Sequence, residues 1–256
     1  MFRTLRIFVL LLILAAVALG AWRTRSSVVE WKYTLPVNLY PVNGDGSDAT
    51  SRYVTGLTAE SFRPIEEFMR DEARRHGRGD SASVEVRLQQ EIRVPPPQAP
   101  RGGNALDVIL WSLHMRYWAW RHAEAPGPGP QVRMILVYVD PTQRGHLPHS
   151  TALREGLIGL VNVFAAPGMA GENNVVIAHE FLHTLGASDK YDRETNQPLF
   201  PDGYADPEAA PLHPQAFAEI MGGRIPLSDA AAVQPRSLNH VVIGPATARE
   251  IKWTAR

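Results

Sequence analysis

The sequence predicts an α/β fold in which helices cover a β-sheet. Val132 to Val139 is a continuous apolar run typical of a central strand, and Leu157 to Phe164 is a second run of the same kind. A strong helical pattern from Asn104 to Ala123 precedes the first run, and another apolar helical segment follows the second. Strands that alternate with helices in this way form a sheet layer covered by helices.

The amino-terminal elements of this layer are predicted from shorter patterns. Residues 33–40 form an extended stretch, and Ser83 to Val94 alternates as a strand that ends at a proline run. Between them, a helix that begins at a Thr58 cap presents one apolar side. That side consists of Phe62, Ile65, Phe68, Met69 and Ala73.

The helix from Asn104 to Ala123 carries two sets of apolar residues. We expect its main stripe to face the core: Leu106, Ile109, Leu110, Leu113 and Tyr117. A tryptophan cluster on the same helix is expected to pack in the core or to cover the sheet: Trp111, Trp118 and Trp120. Beyond Tyr191 the chain is rich in Pro, Gly and Asp, and this composition predicts irregular structure until a last helix near Ala246 to Trp253.

The composition excludes several classes of function. Lys and Arg number 26 and Asp and Glu number 26, so the formal charge is zero and nucleic acid is not expected as a partner. The chain has no cysteine, which excludes disulfide scaffolds, thiolate metal sites, iron–sulfur clusters and cysteine nucleophiles. Any metal must therefore be held by histidine and carboxylate.

Residues 1–27 are predicted to be a signal peptide or an amino-terminal membrane anchor, separate from the body of the protein. Ile7 to Trp22 is uncharged and apolar, and as a helix it would span roughly 24 Å. This length is typical of a signal-peptide apolar region, whereas Arg23 and Arg25 disfavour cleavage just beyond it. In either case the body, residues 28–256, is expected to work outside the cytoplasm, either on the cell membrane or as a secreted or periplasmic domain.

A His-Glu-x-x-His motif occupies residues 179–183. The residues around it are apolar and compatible with a helix, so the motif is predicted on a buried helix. His179 and His183 are one turn apart on one face, so both imidazoles can reach a single Zn²⁺. Glu180 is placed to take a proton from metal-bound water and to pass it to the leaving group. The competing interpretation of these five residues is two buried histidines that bond to backbone groups.

The residues after the motif favour the metal. Gly186 can end the helix in a left-handed turn that reverses the chain. Asp189, six residues after His183, can then return to the metal as a third ligand. Asp192 is the alternative third ligand, and Lys190 between the two can pair with either carboxylate.

The eleven residues from His179 to Asp189 resemble the extended zinc-binding motif of the metzincin metalloproteases. An aspartate stands where most members have a third histidine, which resembles the snapalysin branch. The resemblance implies that His179, His183 and Asp189 bind Zn²⁺ and that Glu180 is the catalytic residue. It also implies a Met-turn beneath the zinc site, for which Met221 is the candidate.

The resemblance further implies a zincin-like architecture for the catalytic domain. A twisted mixed sheet with the active-site helix would form an upper lobe, about residues 33–188, and an irregular lower lobe, about residues 189–256, would end in a helix. In this family an edge strand before the active-site helix binds extended substrate, and Leu157 to Phe164 is the candidate. Latency through a pro-segment cysteine is excluded, because the chain has none.

Other polar residues are weaker candidates for function. His146 and His149 flank a proline-containing loop and could bind a second metal only if that loop held them together. His213 could approach the cleft from the lower lobe. Tyr191 and Tyr204 could each donate a hydrogen bond to an oxyanion, but we expect both to be loop tyrosines packed on the surface.

Three functions fit these features. The first is an exported or membrane-tethered zinc endopeptidase that acts on a peptide or protein substrate. The second is another zinc hydrolase, acting on cell-wall peptides. The third is a non-catalytic binding module with structural zinc, against which Glu180 argues because a closed structural site needs no acid or base.

Overall fold

The structure is a computed structural model, and it describes Arg6, Trp31 and residues 33–79, 83–100, 104–127, 129–143 and 145–254. Apart from Arg6, the predicted signal peptide or anchor of residues 1–27 lies outside these residues. Within the described part of the chain, no helix combines the length and the apolar character needed to cross a membrane.

A five-stranded sheet forms the centre of the fold. Its strands are β1 (Leu35–Asn43), β2 (Val84–Leu88), β3 (Val132–Val139), β4 (Thr151–Leu153) and β5 (Ile158–Phe164). They stand in the order β2-β1-β3-β5-β4, and every neighbouring pair is parallel except β4 with β5. The predicted α/β sheet layer is confirmed, and the sheet is mixed.

Helices cover both faces of this sheet. They are α1 (Asp48–Thr55), α2 (Arg63–Arg75), α3 (Ala105–His122), α4 (Ala170–Leu185) and α5 (Pro245–Glu250). Helices α2 and α4 share one hydrophobic cluster with the sheet, and α3 belongs to a second cluster on the opposite face. Thr58 precedes a 3₁₀ turn, Ala59–Phe62, that leads into α2, and the predicted apolar side of this segment is buried.

The orientation predicted for α3 is wrong. The stripe expected in the core is exposed, from Leu106 to Tyr117, and so is Trp120. The side that packs on the sheet is instead made of Trp111, Met115, Trp118 and Ala119. The helix therefore has two apolar sides, and the one with the larger aromatic rings and a small alanine fits against the strands.

The predicted substrate-binding edge strand is also placed differently. Strand β5 lies between β3 and β4, and six of its seven residues are buried. The edge of the sheet next to it is β4, a strand of three residues that runs antiparallel to β5. A three-residue strand is too short to give a periodic pattern, so the sequence assigned the edge to its longer neighbour.

The carboxy-terminal part is irregular, as predicted, but it is joined firmly to the main core. It contains two small two-stranded sheets, of β6 (Ala218–Glu219) with β9 (Val241–Val242) and of β7 (Ile225–Ser228) with β8 (Ala231–Val233). Met221 and Trp253 lie in the same buried cluster as α2 and α4. The Trp31 ring packs against Trp253 in a tilted arrangement, with 5.7 Å between ring centroids, and its indole N–H donates to the Ile251 carbonyl.

Candidate metal centre

The His-Glu-x-x-His motif lies in the last two turns of α4, which is the helix that the sequence predicts. Ten of its sixteen residues are buried, so the helix is enclosed rather than amphipathic. It ends at Gly186, whose φ of 108° is left-handed, and the Gly186 amide donates to the Leu182 and His183 carbonyls. The predicted chain reversal after the motif is therefore present.

Three side chains converge after this reversal. The Nε2 atoms of His179 and His183 are 3.1 Å apart. Asp189 places Oδ1 at 2.9 Å from His183 Nε2 and at 3.4 Å from His179 Nε2. Glu180 adjoins this group, and His179, Glu180 and His183 each offer a ligand atom within 4.8 Å of the others.

The other ring nitrogen of each histidine is held by a backbone carbonyl. His179 Nδ1 lies 2.8 Å from the Ile220 carbonyl oxygen, and His183 Nδ1 lies 2.8 Å from the Ala187 carbonyl oxygen. A carbonyl only accepts, so each Nδ1 carries the proton and each neutral ring presents the Nε2 lone pair. Carbonyl partners of this kind orient metal-bound histidines.

The buried oxygens of the cluster complete a donor set that fits a divalent metal. Glu180 Oε2 is buried without a hydrogen-bond partner, and the buried Asp189 Oδ1 faces the Nε2 atoms of the two histidines. Two imidazole lone pairs and a carboxylate oxygen that point at one another repel unless a proton or a metal ion lies between them. Two histidines with one carboxylate are a ligand set that zinc accepts in open, catalytic sites.

The pKa values of the two carboxyl groups in the cluster are shifted in opposite directions. Burial raises the pKa of the Glu180 carboxyl, although His179 and His183 oppose this shift. Burial also acts to raise the pKa of Asp189, but hydrogen bonds and charge from the two histidines hold it well below its usual range. Burial lowers the pKa of His179, but Asp189 and Glu180 reverse this effect and raise it overall. The surroundings of Asp189 therefore favour its charged form, whereas burial favours the protonated form of Glu180.

The turn that carries Met221, the candidate for a Met-turn, lies directly beside His179. Met221 is fully buried in the tight turn from Glu219 to Gly223, and its carbonyl accepts from the Lys190 amide. The neighbouring residue, Ile220, supplies the carbonyl that faces His179 Nδ1. The turn therefore contacts the cluster through the backbone carbonyl of Ile220.

The sequence did not single out Glu219, which organises this turn. Its carboxylate is completely buried and accepts four hydrogen bonds. The donors are the Met221 amide at 2.7 Å, the Gly222 amide at 2.9 Å, the Gly244 amide at 3.0 Å and the Thr247 hydroxyl at 2.6 Å. Glu219 therefore joins the turn to the start of α5. The only signal for this role in the sequence was an acidic residue two positions before Met221.

A second buried charge holds the loop that carries Asp189. Lys190 does not pair with Asp189 or Asp192, as the sequence allowed, but donates to Glu250 at 2.7 Å. The Ser188 amide and hydroxyl donate to the same carboxylate. Asp189 itself accepts from the exposed Arg193 at 2.9 Å through Oδ2, which leaves Oδ1 for the histidines.

The remaining candidates occupy other positions. Asp192 accepts from the amides of Glu194 and Thr195 and caps its own turn. Tyr191 is close to the cluster, with its ring centroid 6.3 Å from that of His179. Tyr204 is buried rather than on the surface.

The other candidate histidines lie outside the cluster. His213 lies 3.2 Å from the Tyr204 hydroxyl, and the His149 carbonyl accepts from Asn162. Among the described residues, no group of three side chains that could hold a metal ion includes His146 or His149, so these two residues gain no support as a second site.

No known protein family matches the chain, and the search of curated proteins also finds no match.

Proposed function

We propose that this protein is a zinc-dependent hydrolase of peptide bonds, a metalloendopeptidase. The observation that carries the proposal is the cluster itself: His179, His183 and Asp189 would hold the metal, and Glu180 lies beside them with a buried, unpartnered oxygen. A structural site would have no use for such an oxygen, whereas a hydrolase uses it as an acid and base.

Zinc bound to these three residues would lower the pKa of a bound water and polarise the substrate carbonyl. Glu180 would accept the proton of the attacking water at Oε2 and transfer it to the nitrogen of the departing amine. Its raised pKa brings the carboxyl nearer to neutral pH, which suits a group that must first accept and then donate. The carbonyls of Ile220 and Ala187 would keep both imidazoles in the binding tautomer.

The resemblance to the metzincins supports the choice of peptide substrates. The Asp189 variant of the motif, the buried Met221 turn and the mixed sheet are all compatible with that family. Strand β4 replaces β5 in our proposal as the edge that binds an extended peptide, because it is the free edge of the sheet beside α4. The predicted export or membrane anchoring through residues 1–27 is part of the same proposal.

The test uses the full chain loaded with zinc and a mixed peptide library. We expect cleavage by the wild type, and we expect Glu180→Ala to retain zinc but lose at least about a hundredfold in rate, the scale of general acid and base catalysis. Glu194→Ala is the matched control, because this exposed glutamate lies in the loop after Asp189. Equal rates for wild type and Glu180→Ala, with zinc bound to both, would refute the proposal. Cleavage of cell-wall peptides alone would reassign the substrate and keep the mechanism.

A further inference from the structure

Helix α3 presents an apolar face to solvent that the fold does not use. Five side chains on this face are between 56% and 70% exposed, and we call them the seam: Leu106, Leu110, Leu113, Tyr117 and Trp120. The opposite side of α3 already covers the sheet with Trp111, Met115, Trp118 and Ala119. The five large apolar residues on the outer side are left exposed to solvent, and such a patch marks an interaction surface.

The spacing of the seam indicates what binds there. Its residues follow one another at intervals of four, three, four and three, which is the heptad spacing of a helix that pairs with another helix. The seam spans roughly 21 Å along the helix axis at 1.5 Å per residue. Ile109 flanks it and is 55% exposed, which widens the apolar surface on one side.

The charges beside the seam favour a second copy of the same helix. Asp107, His114 and Arg121 occupy equivalent positions seven residues apart along one border, and all three are exposed. When two such helices pair antiparallel, these border positions face each other. Asp107 then faces Arg121 of the partner subunit, and the reverse pair forms at the other end. A parallel pair would not bring Asp107 and Arg121 together.

We propose that the seam of α3 binds the seam of a second copy of this chain in an antiparallel, two-fold pair. Leu113 packs beside Tyr117 of the partner subunit, and Leu110 packs beside Trp120 of the partner subunit. Two helices of this length bury on the order of 1,000 Å² together, at the low end of specific interfaces, so the dimer is weak and reversible. The opposed helix dipoles add a further favourable contribution.

The absence of cysteine makes this arrangement directly testable by disulfide trapping in the full chain. His114→Cys is expected to form a disulfide-linked dimer under mild oxidation, because position 114 faces its own copy across the two-fold axis. Asp107→Cys mixed with Arg121→Cys should give the mixed dimer in preference to either self-linked species. Ser228→Cys, an exposed position on β7, measures random collision.

Leu113→Glu in the His114→Cys chain is expected to reduce trapping at least about tenfold, since it places two charges in the seam. Leu227→Glu is the matched control, because Leu227 is an exposed leucine away from α3. Neither residue belongs to the metal cluster, so zinc content should be unchanged and reports that the variants fold.

Three results would overturn the proposal. The first is trapping of His114→Cys no faster than that of Ser228→Cys. The second is insensitivity to Leu113→Glu. The third is protection of α3 from hydrogen exchange by phosphatidylglycerol vesicles while the chain stays monomeric, since that result would assign the seam to a lipid surface.

Discussion

Replacing Glu219 by glutamine tests whether one buried carboxylate organises the turn that contacts His179. The carboxylate accepts from the amides of Met221, Gly222 and Gly244 and from the Thr247 hydroxyl. A glutamine amide keeps one accepting oxygen and presents an NH₂ group to two of these donors. Two buried donors would then lack an acceptor.

The structure sets the size of the expected effect. An unsatisfied buried donor costs about 2 kcal/mol, so two cost about 4 kcal/mol, and removal of a buried charge offsets about 1 kcal/mol of this. We therefore expect Glu219→Gln to lower the free energy of unfolding by about 3 kcal/mol. Because the turn also places the Ile220 carbonyl against His179, zinc affinity should fall by about tenfold to a hundredfold.

Two assays separate these effects. Urea unfolding of the zinc-free chain, followed by tryptophan fluorescence, gives the loss of stability. Competition with a chelator of known affinity gives the zinc dissociation constant. Val54→Ala, a core truncation in α1 outside the metal cluster, is the control and should lose stability without losing zinc affinity. Wild-type stability and zinc affinity in Glu219→Gln would refute the assigned role.

Three further predictions concern the end of α4 and the residues that contact the segment after it. Asp189→Ala should weaken zinc retention by orders of magnitude and Asp192→Ala should not, measured by metal content after dialysis; the opposite result would exchange their roles. Burial acts to raise the pKa of Glu250, but Lys190 and Ser188 outweigh it and lower the pKa below the ordinary value of 4.5. The stability that Glu250 contributes is therefore complete above pH 4.5 and is lost as the pH falls through the lowered pKa. Glu250→Gln should flatten the acid side of the profile of unfolding free energy against pH, and an unchanged profile would contradict the pairing. Gly186→Ala should destabilise the chain by about 1–2 kcal/mol, because an alanine is strained in the left-handed backbone of this turn. No change in thermal unfolding would show that the turn accepts alanine without strain.

The part of the site that local spacing determines could be predicted from the sequence. Residues four apart on a helix share a face, so the approach of His179 to His183 follows from their numbers alone. The left-handed turn at Gly186 is equally local. The return of Asp189 follows from its position six residues after His183, and the preference for it over Asp192 rested on the resemblance to a family motif. Its placement beside the histidines agrees with both.

Contacts between distant segments could not be predicted in the same way. Glu219 acts on backbone amides about 25 residues away, and no side-chain pattern announces such donors. Helix α3 shows a different difficulty, because it has two apolar sides and periodicity does not say which one faces the sheet. Packing against the strands selects the side with Trp111 and Trp118, and the seam is left for another partner.

The central claim is that Glu180 acts on water at a metal held by its neighbours. The most direct measurement is the mass of the products when the zinc-loaded full chain cleaves a peptide in water enriched in ¹⁸O. The account predicts one ¹⁸O in each new carboxyl group with the wild type and no detectable product with zinc-loaded Glu180→Gln. Product formation by Glu180→Gln at the wild-type rate, or no product from the wild type with its zinc bound, would contradict it.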